Sequence, residues 1–444
     1  MRAAGRWLVG LVALGAVAAW PAFIAHRSAD EAAASVPTPA PIVRDDVHRD
    51  EQVAFWERAA ARHNSNDFIS PRYLSGEYMQ RYRERGDIGD VVRALAMARR
   101  EEQVVPHRVQ ADMTMVPPLL TLHRFNAALG YVQDALRTAP TQSSLLTSEA
   151  SLLMELGRYR EAGDALRRAR VVRASVDNHV DVDTIDARFQ ELTGNVAQAR
   201  RLLRGADMKY EAYDLGAPVQ SRAWYHYRLG ELAFEAGDNA EAVADEHAAL
   251  DLFPNYNLAY TALARFELAL HHPREALEAA TRAAEIVPLP ETLGYEADAQ
   301  QMLGDGQAAA ATGDLIAAIE RIGNAYRVND RLIAIYYVEH GLRRDDALRI
   351  ARRDAATRGD EIYAQDTLAW AAAGDGHWTE ARGAMAKAIR YDTQDPRLQF
   401  HAGMIALHFG DRTEAKRRLQ RALALNPSFH QTYADEARAT LARL

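Results

Sequence analysis

Two glycine-containing motifs are the first places at which this sequence could carry chemistry. The segment GDGQAA, in which Gly304, Gly306 and Ala309 satisfy the pattern G-x-G-x-x-A, fits the fingerprint of dinucleotide-binding loops. That fingerprint requires a preceding β-strand, and the residues ADAQQML before it are typical of a helix. A second motif, GDGHWT at 374–379, lies in the same kind of surroundings. Both motifs are therefore predicted to be turns between helices, and no cofactor is expected.

Four histidines are the candidates for metal ligands. His401 and His408 are seven residues apart on one predicted helix, and His271 and His272 occupy a predicted turn. Neither pair is accompanied by an HExxH motif, an acidic loop or a matching carboxylate triad. Partly exposed helix or turn residues are the better interpretation of these side chains, so no metal site is expected.

The composition argues against other kinds of catalysis. The chain has no cysteine, which removes disulfides, thiolate nucleophiles and cysteine-based zinc sites. Lys209, Lys387 and Lys416 are its only lysines, which argues against Schiff-base chemistry. The net charge of -8 and a pI of about 6.0 provide no basic stripe for phosphate backbones, so a nucleic-acid partner is not expected. No segment remains for a catalytic domain, and we expect that the protein is not an enzyme.

The amino-terminal residues predict a membrane signal. Arg2 and Arg6 precede an uncharged and mostly apolar segment at 7–25, and Asp30 and Glu31 follow it. This segment is either a membrane anchor or a signal peptide, because it also contains a short apolar core followed by the small-x-small pattern AVA. In both cases the charge bias predicts that the rest of the chain is extracytoplasmic, in the periplasm or cell envelope.

A repeated pattern defines the elements that position any functional residue. In HFGDRTEAKRRLQRALALNP, Gly410 can end one helix, Asp411 can cap the next, and Pro427 stops it. The same frame recurs at intervals of 33 to 43 residues, and four of the nine intervals are 34 residues. Its anchors are Ala415, Ala381, Ala347, Ala309, Ala276, Ala242, Ala199, Ala162, Ala128 and Val91.

In this pattern the chain resembles the tetratricopeptide repeat (TPR) family, and in particular long bacterial extracytoplasmic proteins with many such repeats. One copy carries Leu229-Gly230, Ala242, Ala249 and Pro254 at the family's positions for small residues and proline. The resemblance covers about 72–427. It implies an all-α fold, a right-handed superhelical solenoid of about ten helix-turn-helix repeats.

Departures from the repeat suggest where the chain divides. Pro117-Pro118 is expected to break or start a helix, and an extended helix is expected after Ala309. Val47, Phe55 and Trp56 indicate a capping helix ahead of the first repeat. The predicted organisation is a signal anchor or signal peptide at 1–27, a flexible spacer at 28–45, a capping helix at 46–71, repeats at 72–205, an irregular connection at 206–221, repeats at 222–427 and a capping helix at 428–444.

The resemblance also implies where a partner binds. In the TPR family the first helix of each repeat lines a concave surface through its positions two, five, nine and twelve. The corresponding candidates for partner binding are Trp224, Tyr227, Glu231, Phe234, Arg265, Tyr336, Glu339, Tyr363, Asp366 and Trp370. The alternative for Trp224 and Trp370 is that these rings pack against the next repeat.

Two hypotheses about function follow from these features. The first is a non-catalytic scaffold of the bacterial cell envelope that binds a protein or peptide on its concave surface, with a glycan as a further candidate ligand. The second is a structural subunit of an envelope export or transport assembly. The sequence identifies neither the partner nor the oligomeric state.

Overall fold

The computed structural model of the protein describes residues 45–62, 64–173, 180–212, 219–323 and 330–444. Every regular element among these residues is helical, and no strand occurs in them. The predicted anchor at 1–27 and nearly all of the predicted spacer lie outside the described residues. Within the described residues, no helix has the length and apolar character needed to cross a membrane.

Ten helix pairs follow one another along the chain, between a first helix and a last helix that have no partner of this kind. The first helices of the pairs are α2 (Ile69–Arg85), α4 (Val109–Thr121), α6 (Ser143–Glu155), α8 (Val180–Leu192), α10 (Val219–Glu235), α12 (Asn257–Ala269), α14 (Pro290–Met302), α16 (Asp330–Glu339), α18 (Ile362–Gly374) and α20 (Pro396–His408). The second helices are α3 (Ile88–Val104), α5 (Phe125–Thr138), α7 (Tyr159–Arg173), α9 (Val196–Ala212), α11 (Asn239–Leu252), α13 (Pro273–Ile286), α15 (Gly306–Gly323), α17 (Arg344–Arg358), α19 (Trp378–Ala388) and α21 (Arg412–Leu425). Helices α1 (Arg49–Ala60) and α22 (Tyr433–Leu441) cover the two ends, and the predicted all-α solenoid is confirmed.

Small residues hold the two helices of each pair together. Nine of the ten repeat anchors are completely buried, and Ala309 on α15 is the partly exposed exception. A Cβ atom on Gly230 of α10 would lie 3.0 Å from the carbonyl oxygen of Ala242 on α11. Larger side chains would overpack such contacts, so the repeat requires small ones at these positions.

The turns between helices follow the predicted chemistry. Gly410 adopts a φ of +77°, and the Asp411 carboxylate accepts a hydrogen bond of 3.0 Å from the backbone amide of Glu414. The GDGQAA motif joins α14 to α15, and GDGHWT lies between α18 and α19. His271 and His272 lie in the turn between α12 and α13.

The prediction of a helix break at Pro117-Pro118 is wrong. Both prolines lie inside α4, which begins eight residues earlier at Val109. Each proline removes one backbone hydrogen bond from the helix. Met115 and Leu119, on either side of the pair, are buried in the main core, and this packing keeps the helix continuous despite the lost bonds.

The structure describes part of the other predicted departures from the repeat. Helix α9 continues to Ala212 and α10 begins at Val219, so 206–212 of the predicted irregular connection are helical and 213–218 lie outside the described residues. Helix α15 is 18 residues long, in agreement with the predicted extension after Ala309.

The solenoid closes on itself after six repeats. The turns that follow α6, α8 and α10 each contact the connection that precedes the helix six pairs further along. The hydrogen bonds that join residues about 200 positions apart include Ile362 N to Tyr159 Oη (3.1 Å), Thr393 Oγ1 to Leu192 O (2.7 Å) and Asn426 Nδ2 to Phe234 O (2.6 Å). Successive superhelical turns of the solenoid are therefore in direct contact.

Glycine is required where the two superhelical turns meet. Gly157 has a φ of +67°, and a Cβ atom there would lie 2.2 Å from the backbone carbonyl carbon of Asp360. Gly194 has a φ of +84°, and its Cβ would lie 2.7 Å from the carbonyl oxygen of Asp392. Any side chain at either position would separate the two turns.

Candidate ligand-binding cavity

Seven successive first helices, α8, α10, α12, α14, α16, α18 and α20, surround a cavity. It offers about 210 Å³ to the centres of water-sized molecules. The contacts between superhelical turns place α8 beside the start of α20, so the seven helices form a ring around this space.

The structure places nine of the ten predicted binding residues on the cavity wall. They are Trp224, Tyr227, Glu231, Arg265, Tyr336, Glu339, Tyr363, Asp366 and Trp370. Whether these side chains bind a partner stays a prediction.

The tenth predicted residue, Phe234, does not line the cavity. Its side chain is only 1% exposed and stacks on Phe266 of α12, with 4.3 Å between the ring centroids. The guanidinium of Arg265 lies 5.1 Å from the Phe234 ring and covers it from the cavity side. Position twelve of α10 therefore faces the neighbouring helix, and the prediction that Phe234 is available to a partner is corrected.

Aromatic rings form a large part of the wall. Trp224, Tyr227, Tyr295, Tyr336, Tyr363 and Trp370 all contribute to it. Trp370 also packs as the alternative interpretation predicted, because its indole N–H donates to Tyr433 Oη of α22 at 3.1 Å and its ring stacks on His401. Rigid aromatic rings with a polar edge are typical of binding hot spots.

The wall carries more negative than positive groups. Its arginines are Arg188, Arg228, Arg265, Arg331 and Arg397. Its carboxylates are Glu191, Glu231, Glu235, Glu291, Asp298, Glu339, Asp366 and Asp395. The wall therefore has three more carboxylates than guanidiniums.

Three of the arginines are held by ion pairs along the wall. Arg228 Nη2 lies 2.7 Å from Glu191 Oε2, and Arg188 pairs with the other oxygen of the same carboxylate. Arg265 Nη2 lies 2.7 Å from Glu231 Oε1. These pairs fix the wall of α8, α10 and α12, because each joins partly buried charges.

Two wall carboxylates, Glu235 and Glu339, form no ion pair with an arginine among the described residues. Glu235 makes no hydrogen bond or ion pair with any described residue, and burial together with the nearby carboxylates of Glu191 and Asp395 raises its pKa well above the usual value. Burial also raises the pKa of Glu339, whose nearest basic atom among the described residues is Nε2 of His430 at 3.9 Å.

His340 is held as a cation by its surroundings. Its Nδ1 lies 2.8 Å from the carbonyl oxygen of Tyr336, and its Nε2 lies 2.8 Å from Oδ1 of Asp298. Both partners accept hydrogen bonds, so both ring nitrogens must donate. Burial lowers the pKa of His340, but the hydrogen bonds to Asp298 and Tyr336 and the charges of Asp298 and Glu339 together outweigh it, so the pKa is raised overall.

His401 presents a different arrangement. Its Nδ1 lies 2.9 Å from Oδ1 of Asp366, and this carboxylate oxygen accepts a hydrogen bond from the Nδ1–H group. The residue is 6% exposed and lines the cavity, and its Nε2 has no hydrogen-bond partner among the described residues. This Nε2 is also closed off from solvent.

The carboxyl-terminal segment adjoins one side of the cavity. Gln431 donates from Nε2 to Asp298 Oδ2 at 2.9 Å, and Tyr433 of α22 stacks on His430 and bonds Trp370. The last helix therefore contacts the cavity wall in addition to covering the end of the solenoid.

The sequence interpretation missed the wall residues of three helices. The predicted binding residues occupy positions two, five, nine and twelve of α10, α12, α16 and α18 only. The same positions in α8, α14 and α20 identify seven more wall residues: Thr184, Arg188, Glu191, Glu291, Gly294, Asp298 and Arg397. The repeat frame was the signal that could have found them.

Metal binding finds no support in the described part of the chain. No group of three or more histidine or acidic side chains there is arranged to hold a metal ion. His401 is paired with Asp366, while His408 stacks on Trp378 with 3.5 Å between the ring centroids.

Comparisons with known proteins concern the fold alone. Neither a protein-family model nor a curated protein matches the chain. Solved structures do match. The human IFIT1 dimer with PPP-AAAA is 14% identical, with 78% of each chain covered and a TM-score of 0.48. A monomeric IFIT1 mutant with Gppp-AAAA is 14% identical, with 78% of this chain and 76% of that chain covered and a TM-score of 0.48. A Rap protein complexed with competence and sporulation factor is 13% identical, with 76% and 99% covered and a TM-score of 0.43.

The class of protein follows from the helices themselves. Ten stacked helix pairs, closed by contacts between superhelical turns, define an all-α repeat solenoid with a cavity on its concave side.

Proposed function

We propose that this chain is a non-catalytic TPR scaffold of the bacterial cell envelope that holds an extended peptide segment of a protein partner in its cavity. The observation that carries the proposal is the ring of seven helices, which presents six aromatic rings and several charged groups to one concave space. An extended segment can place successive side chains against several of these helices at once.

The TPR assignment is supported by the repeat frame. Ten pairs agree with the ten anchors, and nine of those anchors are completely buried between the helices of a pair. Wall residues recur at positions two, five, nine and twelve, as they do in the family.

The charge of the wall supports a peptide over a nucleic acid. Two of the similar structures contain PPP-AAAA or Gppp-AAAA, which are rich in phosphate. Here the wall has three more carboxylates than guanidiniums, and the whole chain has a net charge of -8. Both charges repel a phosphate backbone.

The extracytoplasmic location rests on the sequence at 1–31. A reporter enzyme that is active only outside the cytoplasm, fused after residue 50, is expected to be active. If that fusion is silent and a cytoplasmic reporter at the same point is active, the envelope location is wrong.

The alternative, a structural subunit of an envelope export or transport assembly, is favoured by a feature at the other end of the solenoid. Phe55 is 56% exposed and Tyr73 is 49% exposed, and Trp56 stacks on Tyr73 with 4.6 Å between the ring centroids. Exposed aromatic patches are typical of contacts with other proteins.

Site-specific crosslinking separates the two functions. A photoreactive p-benzoyl-phenylalanine is introduced at Tyr363 in the cavity, at Phe55 in the aromatic patch, or at Glu278 on the exposed face of α13 as the control. The proposal predicts that Tyr363 alone crosslinks a short contiguous segment of one partner. Crosslinks at Phe55 without any at Tyr363 would favour the assembly subunit.

A further inference from the structure

Resting on the proposed peptide-binding function, we infer that the cavity selects a basic peptide, whose lysine or arginine side chains are bound by the wall carboxylates of Glu339 and Glu235. The wall offers a carboxylate without an arginine ion pair at each of two positions, and aromatic rings line the same cavity. A ligand rich in cationic donors satisfies all of these features together.

The first position is the carboxylate of Glu339 on α16. Its nearest basic atom among the described residues is Nε2 of His430 at 3.9 Å, and the guanidinium of Arg397 acts on it from beyond ion-pair distance. Glu339 therefore has no close donor among the described residues. An ammonium or guanidinium group of the ligand supplies that donor.

The second position lies where α10 approaches the start of α20. Glu235 is without a hydrogen bond or ion pair in the described part of the chain, and the carboxylates of Glu191 and Asp395 lie near it. Arg188 and Arg228 both pair with Glu191, and the charge of Arg228 acts on Glu235 only from beyond ion-pair distance. A cation placed here relieves the repulsion among these carboxylates.

The aromatic wall already accepts cations. The guanidiniums of Arg188 and Arg331 lie 5.5 Å and 5.9 Å from the centroid of the Tyr363 ring. The rings of Trp224 and Tyr295 line the same cavity and have no arginine or lysine over their faces among the described residues. Aromatic rings next to acidic groups favour a ligand cation over an apolar side chain.

Two wall arginines require acceptors from the ligand. Arg331 and Arg397 make no ion pair with any described residue, and Arg397 lies among Tyr295, Asp395 and Glu339. An acidic side chain near Arg397 would face those two carboxylates as well. The carbonyl oxygens of a peptide backbone satisfy guanidinium donors without adding negative charge, so a basic peptide fits both kinds of group.

The test begins with a peptide selection on the full chain. A phage-displayed library of random octapeptides is panned against the purified protein, and the enriched sequences are resynthesised with a fluorescent label. Binding is measured by anisotropy for each peptide and for a version in which lysine and arginine are replaced by glutamine. The expected result is enrichment of lysine and arginine, at least about tenfold weaker binding of the glutamine version, and weaker binding at high salt.

Variants of the protein connect this preference to the wall. Glu235→Gln and Glu339→Gln are each expected to weaken the basic peptide by about tenfold and to leave the glutamine version unchanged. Glu278→Gln, on the exposed face of α13, is the matched control and is expected to bind as the parent protein does. Thermal unfolding of each variant shows whether it is folded.

The outcomes separate this inference from the proposed function. Enrichment of acidic or apolar peptides that compete for the cavity would leave peptide binding standing and overturn the selection for cations. A basic preference that survives both glutamine substitutions in folded variants would also overturn the assignment to this wall. Failure to enrich any peptide, together with binding of a glycan array, would overturn both.

Discussion

Three carboxylates of the amino-terminal repeats and two carboxylates of the cavity wall differ in their pairing with arginine. In α2 and α3, Glu84, Asp90 and Glu101 are buried, and each has an arginine partner: Arg49 at 2.9 Å, Arg81 at 2.6 Å and Arg72 at 2.6 Å. In α10 and α16, Glu235 and Glu339 line the cavity without an arginine at ion-pair distance, and Arg228 and Arg397 act on them only from further away. The first set of charges stabilises the solenoid, and the proposed function assigns the second set to a ligand.

The largest effect is expected from breaking the amino-terminal set. Arg49 bonds Glu84 and also lies 2.5 Å from Glu77 and 2.6 Å from Gln52. Arg49→Met leaves buried carboxylates unpaired, which we expect to lower the free energy of unfolding of the amino-terminal repeats by about 3–5 kcal/mol. Hydrogen exchange of the α2 and α3 amides during urea unfolding measures this.

The matched substitution in the cavity is Glu339→Gln. It removes a carboxylate that is costly to bury, so we expect a change in the free energy of unfolding smaller than about 1 kcal/mol, with either sign. If Glu339→Gln destabilises its repeats as much as Arg49→Met does, the distinction between the two sets is wrong.

The next largest effect on stability is expected from a substitution at the contact between superhelical turns. Gly157→Ala and Gly304→Ala both place a side chain at a positive φ, but only the Cβ at position 157 meets the backbone of another turn. We expect Gly157→Ala to cost about 1–3 kcal/mol more than Gly304→Ala and to increase the radius of gyration in small-angle X-ray scattering. Equal effects of the two substitutions would show that the turns are not in contact.

The smallest effect concerns two histidines with opposite shifts. His340, on the cavity wall, has a raised pKa, so its contribution to stability is complete below its unfolded pKa of about 6.5 and is lost as the pH rises through its folded pKa. Burial lowers the pKa of His123, between α4 and α5, well below the usual value, and the charges of Arg358 and Arg331 add to this. Its contribution is present above about pH 6.5 and is lost as the pH falls.

Thermal unfolding between pH 5 and 9 tests this pair of shifts. Relative to His340→Gln, the parent protein should lose stability as the pH rises. Relative to His123→Gln, it should lose stability as the pH falls. The same sign for both histidines would contradict the assigned environments.

The repeat frame made much of the fold accessible from sequence, because buried alanines such as Ala242 and Ala415 recur at a fixed period. The same frame placed Tyr363 and Trp370 on the wall. It could not show that Gly157 and Gly194 touch a later turn, because that contact depends on the pitch of six stacked repeats. The prediction of a helix break at Pro117-Pro118 was wrong, because burial of the surrounding residues outweighs the low helix preference of proline.

Phe234 shows a different limit of the sequence interpretation. Position twelve of a repeat can face either the concave surface or the next helix, depending on the size of the neighbouring side chains. Here Phe266 provides a stacking partner on α12, and Phe234 turns toward it. The sequence also could not predict that Glu235 forms no ion pair, because this depends on Arg188 and Arg228 both pairing with Glu191.

The central claim is that the ring of α8 to α20 is the binding region and that the amino-terminal repeats are not. Differential hydrogen exchange of the full chain, with and without a saturating basic peptide from the selection, tests it most directly. We predict that protection increases in the first helices from α8 to α20 and is unchanged in α2 and α4. Protection concentrated in α1 to α4, with none around the cavity, would contradict the claim.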